Sequence, residues 1–340
     1  MYGMKRAWQR REFIKTSALT GLSVGLLGGL DLKAATTKVD SGKRIGIIGL
    51  DTSHSTAFVK SFNGPDSQSK YNGYRVVAAY PYGSREIESS YKRIPAYTEE
   101  VKAKGVDIVN SISDLLGRVD VVLLETNDGR LHKEQAFEVI AAGKPVFIDK
   151  PMANSTRDVI AIFNYARQKN VPVFSSSALR FSKDIQDVVK GKGGKVLGAD
   201  MFSPSPFEKT HTDFFWYGIH GIEMLFAAMG AGCESVTRFY EKDMDVLVGK
   251  WKGGRIGTFR GLRTPKTGYG GSVYGENAIV PISRGYSYDD LLVKIVEFFD
   301  TKKSPVPEQE TIEIAAFIDA AQKSRNKKGK RISLAPYLKA

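Results

Sequence analysis

Cysteine is almost absent from this chain. The single residue Cys233 excludes an internal disulfide and a cysteine metal cluster. Zinc-finger spacings, an aromatic RNA-binding signature and a polybasic run longer than the interrupted Arg325 to Lys330 are also missing. The net charge of +13 is therefore not the footprint of a nucleic-acid binder. Part of that charge belongs to the first 35 residues, and roughly +9 remains without them, spread over the surface. Internal repeats, heptads and low-complexity tracts are lacking too, which leaves a purely structural role without support. What the chain does have is 42% apolar residues over 340 positions, enough for two domains that each bury a core.

The first residues read as a targeting segment. Arg10-Arg11-Glu12-Phe13-Ile14-Lys15 precedes an apolar, glycine-rich run from Thr16 to Leu30, with the small residues Ala34 and Ala35 after it. A charged segment, a modest apolar stretch and a plausible cleavage site predict a twin-arginine export signal over 1–35, removed from a periplasmic or exported protein. No cysteine follows the run, so lipid anchoring is not expected, and no later stretch is apolar enough to span a membrane. A polar linker over 36–43 leads into the folded chain.

Residues 43–175 alternate strands and helices. Arg44 to Gly49, Arg75 to Tyr80, Val106 to Val109, Val119 to Leu124 and Val171 to Phe174 read as strands, and His132 to Ala142 as a helix stopped by Gly143. Repeated units of this size predict a doubly wound parallel sheet. The run Pro145-Val146-Phe147-Ile148-Asp149-Lys150-Pro151 organises it, because a buried strand ended by proline places Lys150 at the sheet edge where ligands lie in such folds. Strand, Gly49 and helix also form the setting of a phosphate-binding turn, with Thr52, Ser53 and His54 at the helix start. Only Gly49 survives of the three usual glycines. Asp51 and His54 occupy the other positions, so a carboxylate is expected where backbone should approach a phosphate, and a plain capped turn is the alternative. The second strand ends without an acid for a ribose diol. Ser84 and Arg85 stand there instead, pointing to NADP, unless Arg85 is only a surface cation.

Residues 176–335 change pattern. Strands are expected at Ala199 to Phe202, Ser235 to Tyr240, Asp245 to Trp251, Arg255 to Leu262 and Gly271 to Tyr274, as an antiparallel meander with one face to cover. Helices are expected at Ile219 to Met229, Tyr288 to Phe299 and Thr311 to Ser324. Chemistry concentrates between Glu208 and Glu223, where an imidazole could take an alcohol proton near neutral pH. Glu208, His211, Asp213, His220 and Glu223 match no established ligand spacing, so a hydrogen-bonded polar site rather than a metal is expected there.

The string Val121 to Thr126, Asn127, His132, Ala142-Gly143-Lys144-Pro145 and Asp149-Lys150-Pro151, followed by Arg180-Phe181 and Gly218-Ile219-His220, resembles the Gfo/Idh/MocA oxidoreductases over nearly the whole mature chain. The resemblance implies a Rossmann domain followed by an α/β domain with an open-faced, mainly antiparallel sheet, an NAD or NADP cofactor at their junction, and homodimers or homotetramers. It gives Thr126, Asn127, His132, Asp149 and Lys150 to the cofactor side. His220 becomes the base, with Lys150 polarising the hydroxyl. Arg180, His211, Trp216 and Tyr217 then fall on the side of a small carbohydrate substrate. Many members carry an aspartate four residues before the histidine, where this chain has Trp216, and Asp213 and His211 are the nearby polar candidates to replace it. The expected function is an exported NAD(P)-dependent oxidoreductase of a sugar, cyclitol or sugar derivative with tightly held cofactor. Transient-oxidation lyase or glycosidase chemistry, and a degenerate sugar-binding protein, are the alternatives.

Overall fold

The computed structural model describes residues 42–264, 268–283 and 285–339. The expected export signal, and all of the linker but Gly42 and Lys43, lie outside them. Among the described residues, no helix is long and apolar enough to cross a membrane.

Strands β1 (Arg44–Ile48), β2 (Arg75–Tyr80), β3 (Asp107–Ile108), β4 (Val121–Leu124), β5 (Val146–Asp149) and β6 (Val173–Ser176) form one parallel sheet in the order β3-β2-β1-β4-β5-β6. The all-apolar β4 segment Val-Val-Leu-Leu is buried at every position, as strands covered on both faces must be. Successive strands are added to one side of β1 up to β3 and to the other side from β4 on, so the carboxyl ends of β1 and β4 open a crevice where loops diverge. The helix Thr156–Lys169 shows how locally the sequence fixes these layers. Ser155 Oγ accepts the Asp158 N–H at 3.2 Å at its start, and Asn170 ends it in the left-handed conformation at φ 54°.

The second sheet comprises β7 (Val196–Pro204), β8 (Cys233–Tyr240), β9 (Met244–Trp251), β10 (Ile256–Leu262), β11 (Gly270–Gly275), β12 (Ile279–Ile282) and β13 (Ile332–Ser333), ordered β12-β11-β7-β10-β9-β8-β13. It is mostly antiparallel, but the expected simple meander is corrected, because β7 pairs with β10 in parallel. The helices Ile219–Met229 and Glu308–Asn326 cover one face, packing Leu225, Phe226 and Phe317 against Trp251 and Phe259. The other face carries exposed Phe239, Ile256, Tyr274 and Ile279.

One late helix returns to the first sheet. Tyr288–Thr301 packs Leu291, Leu292, Ile295 and Phe298 into the core that contains Phe147 and Phe174. The Tyr71 hydroxyl donates to Asp289 at 2.6 Å and the Tyr74 hydroxyl to Asp300 at 3.0 Å, fixing both ends of that helix. Each fully buried apolar side chain contributes about 1.5–3 kcal/mol, so this attachment is firm.

Candidate functional site

The turn after β1 is built tightly. Gly49 has φ 92°, and a Cβ there would come within 2.6 Å of the Thr126 backbone, so glycine is required. Asp51 is fully buried and accepts the N–H groups of Ser84 and Asn127, both at 3.0 Å. It thereby ties the segments leaving β1, β2 and β4 to one another. Gly83 gives it room, since a Cβ at that position would lie 2.1 Å from Asp51 Oδ2. Burial raises the Asp51 pKa, while the two amides oppose the rise. The expectation of a carboxylate facing a phosphate is therefore corrected: backbone amides of the protein itself occupy its oxygens.

The helix Ser53–Phe62 begins at the edge of a cleft of about 350 Å³, with Thr52, Ser53 and His54 in its wall. Its first turn holds no acidic residue, and Arg93 lines the same space, which makes this end of the cleft hospitable to an anion. Asn127, Lys150 and Ser177 enter from the ends of β4, β5 and β6. Much of the remaining lining is aromatic, formed by Trp216, Tyr217, Tyr269, Tyr286 and Tyr288, with His220 among them, and Tyr288 meets the His54 ring edge-on at 5.0 Å. The Tyr269 hydroxyl donates to that of Tyr217 at 3.2 Å, and both rings meet the His220 ring edge-on, at 5.2 Å for Tyr217 and 5.9 Å for Tyr269.

Two groups in this cleft suit proton transfer. His220 Nδ1 lies 2.8 Å from Ser177 Oγ, which fixes the ring. Burial, reinforced by the cationic neighbour Lys150, holds the His220 pKa well below the usual imidazole range, so it is a neutral proton acceptor at neutral pH. Lys150 is itself buried, with Nζ 3.3 Å from Asp149 Oδ2. An ammonium beside a neutral imidazole can stabilise an oxyanion while the ring takes its proton.

At the cleft wall, His54 Nδ1 and Asp149 Oδ2 are 2.9 Å apart. Burial works against the Asp149 charge, yet His54 and Lys150 prevail and hold its pKa below the usual carboxylate range. Glu125, immediately after β4, is fully buried, and among the described residues neither of its oxygens has a hydrogen-bond partner. Burial, then the Asp149 charge, push its pKa well above the ordinary value.

Ser84 and Arg85 line a second hollow of about 500 Å³ at the end of β2, together with Tyr82 and Arg130. Arg130 is held there by Asp128 at 2.6 Å and Glu86 at 3.0 Å.

Several expected site residues lie elsewhere. Asp213 pairs with Arg238 at 2.7 Å and Arg325 at 2.6 Å and does not line the cleft, which corrects its catalytic assignment. Arg180 is buried between Glu223 at 2.9 Å and Glu310 at 2.5 Å, so it is engaged by the core rather than offered to a substrate. His211 is buried beside Trp216, with Nε2 3.4 Å from Asp128 Oδ1. His132 bridges the Pro151 and Thr126 carbonyls at 2.8 and 2.6 Å, and so pins two loops behind the cleft. Thr126 and Asp149 are likewise buried. Sequence reasoning overlooked Arg93, Glu125 and the tyrosines at 269, 286 and 288. For Glu125 a signal existed, a carboxylate directly after four buried apolar residues.

Residues 43–177 match the model described as an oxidoreductase family with an NAD-binding Rossmann fold, Gfo/Idh/MocA. An uncharacterized oxidoreductase of Synechocystis is 33% identical over 112 residues, 32% of this chain and 30% of that protein. An inositol 2-dehydrogenase of Gluconacetobacter diazotrophicus is 41% identical over 56 residues, 16% of this chain and 17% of the relative. The chain thus spans under a third of the length of either curated relative. The crystal structure of scyllo-inositol dehydrogenase from Lactobacillus casei, with NAD(H) and scyllo-inositol bound, superposes with a TM-score of 0.70 at 15% identity, covering 86% of this chain and 99% of the other. That likeness establishes a common fold.

Proposed function

Residues 43–177 carry the NAD-binding Rossmann fold of the Gfo/Idh/MocA oxidoreductases, and on that premise we propose that the chain is an NAD(P)-dependent dehydrogenase of a cyclitol or related sugar. The observation that carries this reading is the meeting of Lys150, neutral His220 and the start of the helix Ser53–Phe62 in one cleft. His220 takes the proton of the substrate hydroxyl, and the Lys150 ammonium stabilises the alkoxide that develops. The dinucleotide, when bound, accepts the hydride. Residues present fit such a group: Gly49 keeps the turn free of a side chain, Thr52 and Ser53 offer helix-start N–H groups to its phosphates, and Arg93 adds a cation. Ser84 and Arg85 suit a ribose or its 2′-phosphate.

The aromatic wall supports a ring-shaped substrate, because Trp and Tyr faces stack on the C–H faces of sugars while the tyrosine hydroxyls bind its oxygens. Relatives named as inositol dehydrogenases favour a cyclitol among such rings. Export is supported by Arg10-Arg11 and the apolar run after them, and an exported enzyme of this kind needs a cofactor that stays bound. The exposed apolar residues of the second sheet support assembly as a homodimer or homotetramer. A second reading is favoured by Trp216, which takes the place that the family resemblance gives to an aspartate: transient oxidation serving elimination or hydrolysis.

The test is to purify the mature chain from cytoplasmic expression, denature it and identify released dinucleotide by mass. Stoichiometric NAD or NADP, followed by nicotinamide reduction with a cyclitol panel and a loss of roughly 10²–10⁴-fold in kcat/KM for Lys150→Ala and His220→Ala, is the expected result. Absence of dinucleotide, together with no binding of either form on addition, overturns the proposal.

A further inference from the structure

Three side chains that meet at the cleft, His54 in its wall and Glu125 and Asp149 behind it, come from separate elements. His54 belongs to the first turn of the helix Ser53–Phe62, Glu125 follows β4, and Asp149 ends β5. β4 and β5 are neighbours in parallel register, Leu124 opposite Ile148, so the residues that follow those two positions emerge side by side. One donor atom from each of His54, Glu125 and Asp149 lies within 4.8 Å of the other two.

We propose that His54, Glu125 and Asp149 bind a divalent transition-metal cation, Zn²⁺ or Mn²⁺, in the floor of the cleft. The hydrogen bond from imidazole to Asp149 accounts for two of these groups without a metal. It does not account for Glu125, which is fully buried with both oxygens unpartnered among the described residues, nor for Asp149 Oδ1, which is unpartnered as well. The acceptors left over once His54 and Lys150 have met Asp149 Oδ2, both Glu125 oxygens and Asp149 Oδ1, are buried, and a cation satisfies such oxygens. One imidazole nitrogen with two carboxylates is the donor set of Zn²⁺ and Mn²⁺, whereas Ca²⁺ and Mg²⁺ take oxygen ligands in larger number or keep several waters.

Three protein ligands leave a coordination position open. His54 lines the cleft, so a cation held there would share the floor with Lys150 and could meet a substrate oxygen. Two carboxylates beside the ammonium offset much of the added charge. The site shares His54 and Asp149 with the cofactor side of the cleft, but metal uptake is read without dinucleotide, so the two tests are separable.

The test uses the mature protein, stripped with chelator and titrated with Zn²⁺, Mn²⁺ and, as an optical probe, Co²⁺. The expected result is one equivalent bound, a visible Co²⁺ spectrum of low symmetry, a raised unfolding temperature, and an affinity lower by about 100-fold in Glu125→Gln, which keeps shape and removes charge. Should Glu125→Gln fail to fold, His54→Gln is measured in the same way. The proposal is overturned by a parent protein that takes up no metal at millimolar concentration, or by a folded variant that binds as tightly as the parent. A parent without metal alongside a Glu125→Gln variant of equal stability would identify Glu125 as a neutral buried acid instead.

Discussion

Asp51 accepts the N–H of Asn127 at 3.0 Å, joining residues 76 positions apart. The same carboxylate holds Ser84. Replacing it strips two buried amides of their acceptor, and each loss costs about 1–3 kcal/mol. Asp51→Gly is therefore expected to lose stability in urea unfolding and to bind dinucleotide more weakly, although it restores a glycine to the turn. A variant of unchanged stability that binds dinucleotide more tightly would show that the carboxylate opposes the phosphate after all.

Trp216 gives the cleft an aromatic face. Removing that face in Trp216→Ala should raise KM for a ring substrate roughly 3–10-fold while kcat changes little, since stacking acts on ground state and transition state alike. Steady-state kinetics on Trp216→Phe, which retains a ring, should lie near the parent. A fall in kcat alone would place Trp216 in the chemistry.

His211 supplies a pH dependence. Burial pushes its pKa down to about 4, partly opposed by the Asp128 carboxylate. The folded protein thus favours neutral imidazole, whereas the unfolded chain takes up the proton near pH 6.5. This residue costs no stability above pH 6.5, and stability falls as the pH drops from there towards 4. Urea midpoints measured across that window should decline less steeply in a folded His211→Gln variant, and parallel curves for the two proteins would refute the assignment.

Arg180 links the helix Ile219–Met229, through Glu223, to the helix Glu308–Asn326, through Glu310. Breaking a buried pair by removing one partner costs about 3–5 kcal/mol, because a charge is left without its counterion. Arg180→Ala should accordingly show its defect in thermal unfolding, and any folded fraction should keep the parent KM. A raised KM at full stability would return Arg180 to the substrate.

The first half was readable because its information is local. Short apolar runs alternating with helices, and a proline after Lys150, specify a parallel sheet and its functional edge within a few residues of one another. Strand β12 contains Pro281 and strand β13 has only two residues, so neither announces itself, and both exist by pairing with partners formed elsewhere. The role of Asp51 is hidden for a related reason: its position in the turn is sequential, but its hydrogen bonds go to Ser84 and Asn127. Asp213 and Arg180 sit near the expected site in sequence and are claimed by Arg238, Arg325, Glu223 and Glu310, which no spacing reveals. Tyr269 lies in a glycine-rich connection, where composition suggests only a turn.

The return of the helix Tyr288–Thr301 to the first sheet bears on the order in which the protein can be made. The six parallel strands are complete at Ser176, yet Phe147 and Phe174 gain the cover of Phe298 only when nearly the whole polypeptide has left the ribosome. A nascent chain halted between the two sheets would hold an uncovered apolar layer. The nucleotide-binding half and the half that follows it are therefore expected to mature together, as a single late event rather than one domain after the other.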